Sequence, residues 1–244
     1  MKRTFIWGHR GAGIYEIENT LTSFKKAVEM GVDGIETDAH LTLDGEVILF
    51  HDFLIEHNKK KIIINKSSLK EIKKIELEKN ERIPTLREVF EVFQNKDIKY
   101  SIDLRGINVG FKIIELADQY EILNKVEFVC DGFLRMSKLR KANKEIKILY
   151  SISERHPLIT ERDFKFKKMK KLNIAGFNIK HSKASSKFFN LIKNNGIAFY
   201  VWGVDTKRSM ERFLHMNYSG EVVDAIYTDY PDKLIELRKE IQGV

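Results

Sequence analysis

The residues best able to do chemistry lie in two stretches, GHRGAGIYEIENT from Gly8 to Thr20 and GIETDAHLTLDGEVILFHD from Gly34 to Asp52. The first ends a short apolar segment with His9-Arg10-Gly11. The second sets Glu36 and Asp38 two residues apart and closes on His51-Asp52. A later segment, YSIDLRG, adds Asp103 and Arg105. Carboxylates suit hard, oxygen-preferring cations such as Mg²⁺ or Ca²⁺. Arginine forks match phosphate oxygens, and histidine exchanges protons near neutral pH. Together these types form a set for metal-assisted cleavage of a phosphate ester.

Strand periodicity says which of them share a face. Glu36, Asp38 and His40 alternate with Ile35, Thr37 and Ala39, while Ser101, Asp103 and Arg105 alternate with Ile102 and Leu104. Inside a parallel sheet such acids are costly unless a cation or partners compensate. Two readings follow: a cation held by Glu36, Asp38 and Asp103, or an ion-pair network in which Arg105 neutralises Asp103 and Glu36. The two histidine motifs favour the cation. His57, His156, His181 and His215 read as ordinary solvent-facing or core residues, and His40 as reaching beyond its strand. Glu18-Asn19 reads chiefly as a helix start. Trp202, in FYVWGVD, walls an alcohol moiety or simply packs.

These residues need a scaffold that gathers strand ends. β-rich segments are predicted at Thr4–Gly8, Gly34–His40, Lys99–Leu104, Val126–Cys130, Lys147–Ile152, Ala175–Ile179, Ile197–Trp202 and Asp224–Thr228. Helical patterns alternate with them at Thr20–Met30, Leu86–Phe93, Val109–Gln119, Met136–Ala142, Glu161–Lys171, Ser185–Asn194 and Lys207–His215, with a last one from Pro231. Asn19 can cap the first helix and Gly31 can end it. Such alternation gives an α/β fold, either a (β/α)8 TIM barrel or a doubly wound open sheet. Polar residues at the ends of many strands, and no glycine-rich phosphate turn after the first, favour the barrel. Leu41–Phe50 reads as a hairpin around Asp44-Gly45, and a helical excursion follows before the third barrel strand. With no Pro/Gly/Ser-rich linker, residues 1–244 are expected to form a single domain.

The chain has 244 residues, a formal net charge of +8 and one cysteine, Cys130. One cysteine excludes an internal disulfide. Neither a signal peptide nor an apolar membrane span is expected, so the reading is cytoplasmic, with no stable membrane insertion. Many lysines lie in mixed runs such as SLKEIKKIELEKNE, which read as solvated helix faces. With no recognisable nucleic-acid module, no nucleic-acid partner is expected, and the basic surface would draw in a small anionic ester.

The order of His-Arg-Gly, Glu-Asn-Thr, Glu-x-Asp and His-Asp resembles the glycerophosphodiester phosphodiesterase family, and the likeness runs from Phe5 to about Lys233. The resemblance implies a (β/α)8 barrel that hydrolyses a glycerophosphodiester to an alcohol and glycerol 3-phosphate with a divalent cation, Mg²⁺, Ca²⁺ or Mn²⁺. It further implies His9 and His51 as the acid/base pair, Arg10 as a phosphate contact, and Glu36, Asp38 and Asp103 as metal ligands. Ile17 stands where the family usually has proline. Asp103 replaces a glutamate, Arg105 a lysine and Gly203 a frequent threonine, and Cys130-Asp131 falls where Ser-Phe is common. Two other readings remain: a phospholipase-like enzyme for a lipid head group, which the charged Glu56–Lys61 segment argues against, and a non-catalytic phosphate-binding barrel.

Overall fold

Short runs of β-branched and aromatic residues form eight parallel strands: β1 (Phe5–Gly8), β2 (Gly34–Leu41), β3 (Lys99–Leu104), β4 (Val126–Cys130), β5 (Lys147–Ser151), β6 (Gly176–Lys180), β7 (Ala198–Trp202) and β8 (Ala225–Thr228). Each pairs with the next, and β8 pairs back onto β1, so the sheet closes into a barrel. The computed structural model describes residues 2–153 and 158–243; His156 lies outside them.

Among the described residues eight helices ring the barrel: α1 (Leu21–Met30), α2 (Leu86–Phe93), α3 (Ile107–Gln119), α4 (Phe133–Ala142), α5 (Phe166–Lys171), α6 (Ser186–Asn194), α7 (Lys207–Leu214) and α8 (Pro231–Gln242). The long helix expected over 161–171 is broken. Thr160 and Asp163 close a capping box around a 3₁₀ turn, and Lys165 is non-helical before α5 begins. At α1 the cap is Thr20, whose side chain accepts the Ser23 N–H, and not Asn19.

Between barrel and helices lies the main core, rich in fully buried phenylalanines such as Phe24, Phe90, Phe128, Phe177 and Phe213. A fully buried residue of this size contributes about 1.5–3 kcal/mol relative to exposure. The barrel interior has its own plug of Trp7, Val129, Leu149, Tyr200, Ala225 and Tyr227. Trp7 stacks on Tyr227 with ring centroids 5.8 Å apart. A Cβ at position 34 would fall 2.4 Å from the Trp7 ring, so only glycine there lets the ring enter. Above the plug the barrel opens into a cavity.

Below the plug, at the N-terminal end, charges are paired. Asp33 receives the Ile6 N–H at 2.8 Å and bridges Arg3 and Arg238. Glu127 meets Lys147 at 2.6 Å, with the Tyr200 hydroxyl alongside. Lys193 meets Glu221 and Asp224, each at 2.8 Å.

The excursion after β2 begins as expected. Val47–Leu49 folds back antiparallel on Ala39–Leu41, around a turn in which Gly45 has φ 83°. A second hairpin, Leu54–His57 with Lys60–Ile63, was not anticipated. Its turn residues, Asn58 and Lys59, both take positive φ, and lysine carries no sequence signal for that conformation. A short helix, Leu69–Ile72, follows, and Ile48, Ile55, Ile64, Ile72, Ile75 and Ile83 form a small separate core. Among the described residues no helix is long and apolar enough to cross a membrane.

Candidate active site

A cavity of about 530 Å³ opens at the C-terminal ends of the barrel strands, where β/α barrels carry their chemistry. His9, Arg10, Glu36, Asp38, His51, Asp103, Arg105 and Trp202 all line it. The chemical residues singled out from sequence therefore converge on one space.

The His-Arg-Gly turn is built by backbone. Arg10 has φ 52° and Gly11 φ 87°, and a Cβ on Gly11 would lie 2.4 Å from the Ser23 hydroxyl. The turn directs the Arg10 N–H at Glu36, 2.9 Å away. The Arg10 guanidinium reaches both Glu18 oxygens, at 2.8 and 2.9 Å, and its Nε lies 3.3 Å from Asp38. Arg105 pairs directly with Asp38 and stands 3.6 Å from Asp103. Arg105 thus bridges Asp103, as the ion-pair reading had it, and Asp38, which that reading did not include; no direct Arg105–Glu36 pair is found among the described residues.

Burial and charge set the protonation of these groups. Burial pushes Glu36 up to about 7, against the pull of His9 and Arg10. Asp103 is likewise raised by burial, to about 6, against Arg105. Asp38 goes the other way: burial opposes ionisation, but Arg105, then Arg10 and Asn19, hold its carboxyl below the usual range. For His9, burial favours the neutral ring, yet Glu36 and Asp229 outweigh it and lift the pKa to about 9. His9 Nδ1 lies 2.7 Å from Asp229, which leaves Nε2 directed towards Glu36 at 3.9 Å.

His51 follows the returning hairpin strand, which the Phe50 N–H ties to the Asp38 carbonyl at 3.0 Å. Its Nδ1 is 2.8 Å from Asp52. Both histidines therefore have one ring nitrogen engaged by a carboxylate, an arrangement that fixes ring orientation. His40 does not reach beyond its strand. It is buried, packs edge-on against Phe53, and burial lowers its pKa to about 4.

Four positioning residues escaped sequence reasoning. Asn19, read as a cap, instead donates to Asp38 at 3.1 Å and accepts from the Thr37 hydroxyl at 2.6 Å. Asp229 engages His9, and Asp205 in turn accepts the Asp229 N–H at 2.9 Å. Barrel closure supplied the missing signal: β8 lies beside β1, so the residue after β8 sits next to the residue after β1. Asp52 adjoins His51 in sequence and needed only the same triad logic.

The donor chemistry suits a hard divalent cation. Glu36 is a buried carboxylate and Asp103 a half-buried one, both with raised pKa, and among the described residues neither accepts a hydrogen bond from a guanidinium. As placed, no three acid, histidine or cysteine side chains among the described residues close on one point, Asp38 being turned onto the arginines.

A closed β/α barrel whose mouth combines proton-transfer groups, paired acids and phosphate-seeking arginines belongs among the phosphoric diester hydrolases. Comparison with known proteins agrees. Residues 9–233 match the model of the glycerophosphoryl diester phosphodiesterase family. A glycerophosphodiester phosphodiesterase from Caldanaerobacter subterraneus is 31% identical, over 96% of this chain and 98% of its own. A human lysophospholipase D is 26% identical, over 93% of this chain and 83% of its own. Two solved structures share the fold. A glycerophosphodiester phosphodiesterase from Thermotoga maritima has a TM-score of 0.80 at 21% identity, covering 97% of this chain and 99% of its own. An Oleispira antarctica phosphodiesterase in complex with sn-glycerol-3-phosphate has a TM-score of 0.83 at 22% identity, covering 96% of both chains. The chain is a member of the glycerophosphoryl diester phosphodiesterase family, and thereby a phosphoric diester hydrolase.

Proposed function

We propose that this enzyme hydrolyses small glycerophosphodiesters to an alcohol and glycerol 3-phosphate by two-histidine acid/base catalysis, assisted by a divalent cation. The observation that carries the reading is that His9, His51, both arginines and all three acids face one cavity. Glu36, Asp103 and Asp38 would hold the ion, which supplies charge neutralisation at the phosphate and a lowered pKa for a bound nucleophile. Arg10 and Arg105 orient the phosphate through its non-bridging oxygens and stabilise charge that grows there. One histidine takes a proton from the attacking oxygen and the other gives one to the departing alkoxide, so the P–O bond to the alcohol breaks without releasing a strong base. Asp229 holds the His9 ring for this task and Asp52 holds the His51 ring. Trp202 walls the alcohol side of the cavity. A neighbouring glycerol hydroxyl attacking before water would use the same groups and pass through a cyclic phosphate, which product analysis would reveal.

The deciding experiment follows release of glycerol 3-phosphate from choline, ethanolamine, glycerol and inositol glycerophosphodiesters with Mg²⁺, Ca²⁺ or Mn²⁺. Release from at least one ester, abolished by exhaustive chelation, is expected. Silence on all of them would leave a phosphate-binding barrel, and full activity after chelation would remove the cation.

A second reading has its own support. The hairpin beside the cavity exposes Phe53 at 64%, with Leu54 and Ile63 paired across its strands and also exposed. The charged Glu56–Lys61 segment is thus only its tip, and an apolar edge fits the chain of a lysolipid. Lysophosphatidylcholine in the same panel tests this.

A further inference from the structure

The cavity has two unlike walls. Arg10, Glu36, Asp38, Asp103 and Arg105 stand at the ends of β1, β2 and β3, the paired Asp131 and Arg135 follow β4, and the facing wall comes from β5, β6 and β7 and carries Ser151, Asn178 and Trp202. Asn178 lies in β6, in register with Ser151 on one side and Tyr200 on the other. Its neighbours in the strand, Phe177 and Ile179, belong to the outer core, so alternation turns Asn178 inward.

Asn178 is only 7% exposed, and among the described residues its Oδ1 has no hydrogen-bond partner. A buried amide oxygen without a partner is unfavourable, and structural amides avoid it. Asn19 shows the contrast in the same site, since its Nδ2 donates to Asp38 while its Oδ1 accepts from Thr37. The unpartnered oxygen belongs to a cavity whose other wall would hold the phosphate, with the Trp202 ring on the adjoining strand. An amide offers a donor and an acceptor side by side, and a hydroxyl is the group that answers both. A quaternary ammonium answers neither.

We propose that Asn178 is a specificity-determining residue that reads a hydroxyl of the glycerol moiety attached to the phosphate. The inference rests on the phosphodiesterase reading, because it takes the arginine wall as the phosphate site. It makes the polyol part, rather than the leaving alcohol, the portion recognised by hydrogen bonding. Sites built to bond a hydroxyl discriminate strongly against analogues lacking it.

The test is calorimetric binding of glycerol 3-phosphate and of propyl phosphate, in magnesium buffer, to the wild-type protein, Asn178→Ala and Asn178→Leu. Wild type should prefer glycerol 3-phosphate by about 10-fold or more, the size of one buried hydrogen bond to a substrate hydroxyl. Both variants should lose that preference while holding propyl phosphate as wild type does. Circular dichroism would verify folding, and the alanine variant covers a leucine that does not fit. An unchanged preference, or equal loss of both ligands, would overturn the role of Asn178, as would filling of the amide by water alone. Failure of the wild type to bind either ligand would instead defeat the phosphodiesterase reading beneath it.

Discussion

The two ends of the barrel bury charge in opposite ways. At the N-terminal end each acid has cations to match: Asp33 has Arg3 and Arg238, Glu127 has Lys147, and Glu221 and Asp224 share Lys193. At the mouth, Arg10 and Arg105 pair most closely with Asp38, while Glu36, with His9 at 3.9 Å, and Asp103, with Arg105 at 3.6 Å, keep pKa values lifted by burial. Buried ion pairs of this kind are part of the scaffold, and removing one partner is damaging. Incompletely compensated acids are a cost in the folded state that a charged ligand can relieve, which is how a binding site differs from a structural network.

The largest expected effect is at the mouth. His9→Ala and His51→Ala should each lower kcat by about 10²- to 10⁴-fold, the usual scale of a general acid or base. A nitrophenyl ester, whose leaving group needs no proton, should rescue whichever variant lost the acid, and steady-state kinetics would read both effects. Near-normal turnover in both would erase the functional half of the contrast.

At the other end the same kind of change should act on stability alone. Asp33→Ala strands Arg238, whose side chain is 4% exposed, and should destabilise by about 3–5 kcal/mol. Turnover per folded molecule should hold, as denaturant titration with active-site normalisation would show.

Asp103→Asn sharpens the contrast further, because activity should fall while stability at neutral pH stays level or rises by about 1 kcal/mol. The pH dependence has a definite sign. The folded pKa of Asp103, about 6, lies above its ordinary 3.8. Wild type therefore gains stability as pH falls through that window, and the variant should lack the gain. Melting curves from pH 7 to pH 4 would show it.

The smallest effect belongs to Glu221, a half-buried acid lowered to about 2 by its bonds to Lys193 and Lys2. Its stabilisation is present above its ordinary pKa and fades as pH falls towards 2, so Glu221→Gln should flatten the acid limb of the melting curve slightly.

Much of this contrast was legible in the sequence. Alternation in GIETDAHL and YSIDLRG put Glu36, Asp38, Asp103 and Arg105 on inward faces, and the strand–helix rhythm implied the barrel that gathers them. Pairing was not legible, because it depends on side-chain reach across strands. Arg105 therefore lies on Asp38, and Asn19 supports Asp38 in place of capping α1. Asp229 was hidden by distance, since 220 positions separate it from His9 until β8 closes on β1. The second hairpin was missed because Lys59 adopts a conformation its side chain does not favour.

The most direct measurement is glycerol 3-phosphate release from glycerophosphocholine by Glu36→Gln and Glu127→Gln, each normalised to folded protein. Both changes replace a buried carboxylate by its amide, one at each end of the barrel. Glu36→Gln is expected to lose about 10²- to 10³-fold, the scale of removing one preorganised electrostatic group. Glu127→Gln is expected to turn over like wild type. Equal turnover in the two variants would contradict the division of the barrel into a chemical mouth and a structural floor.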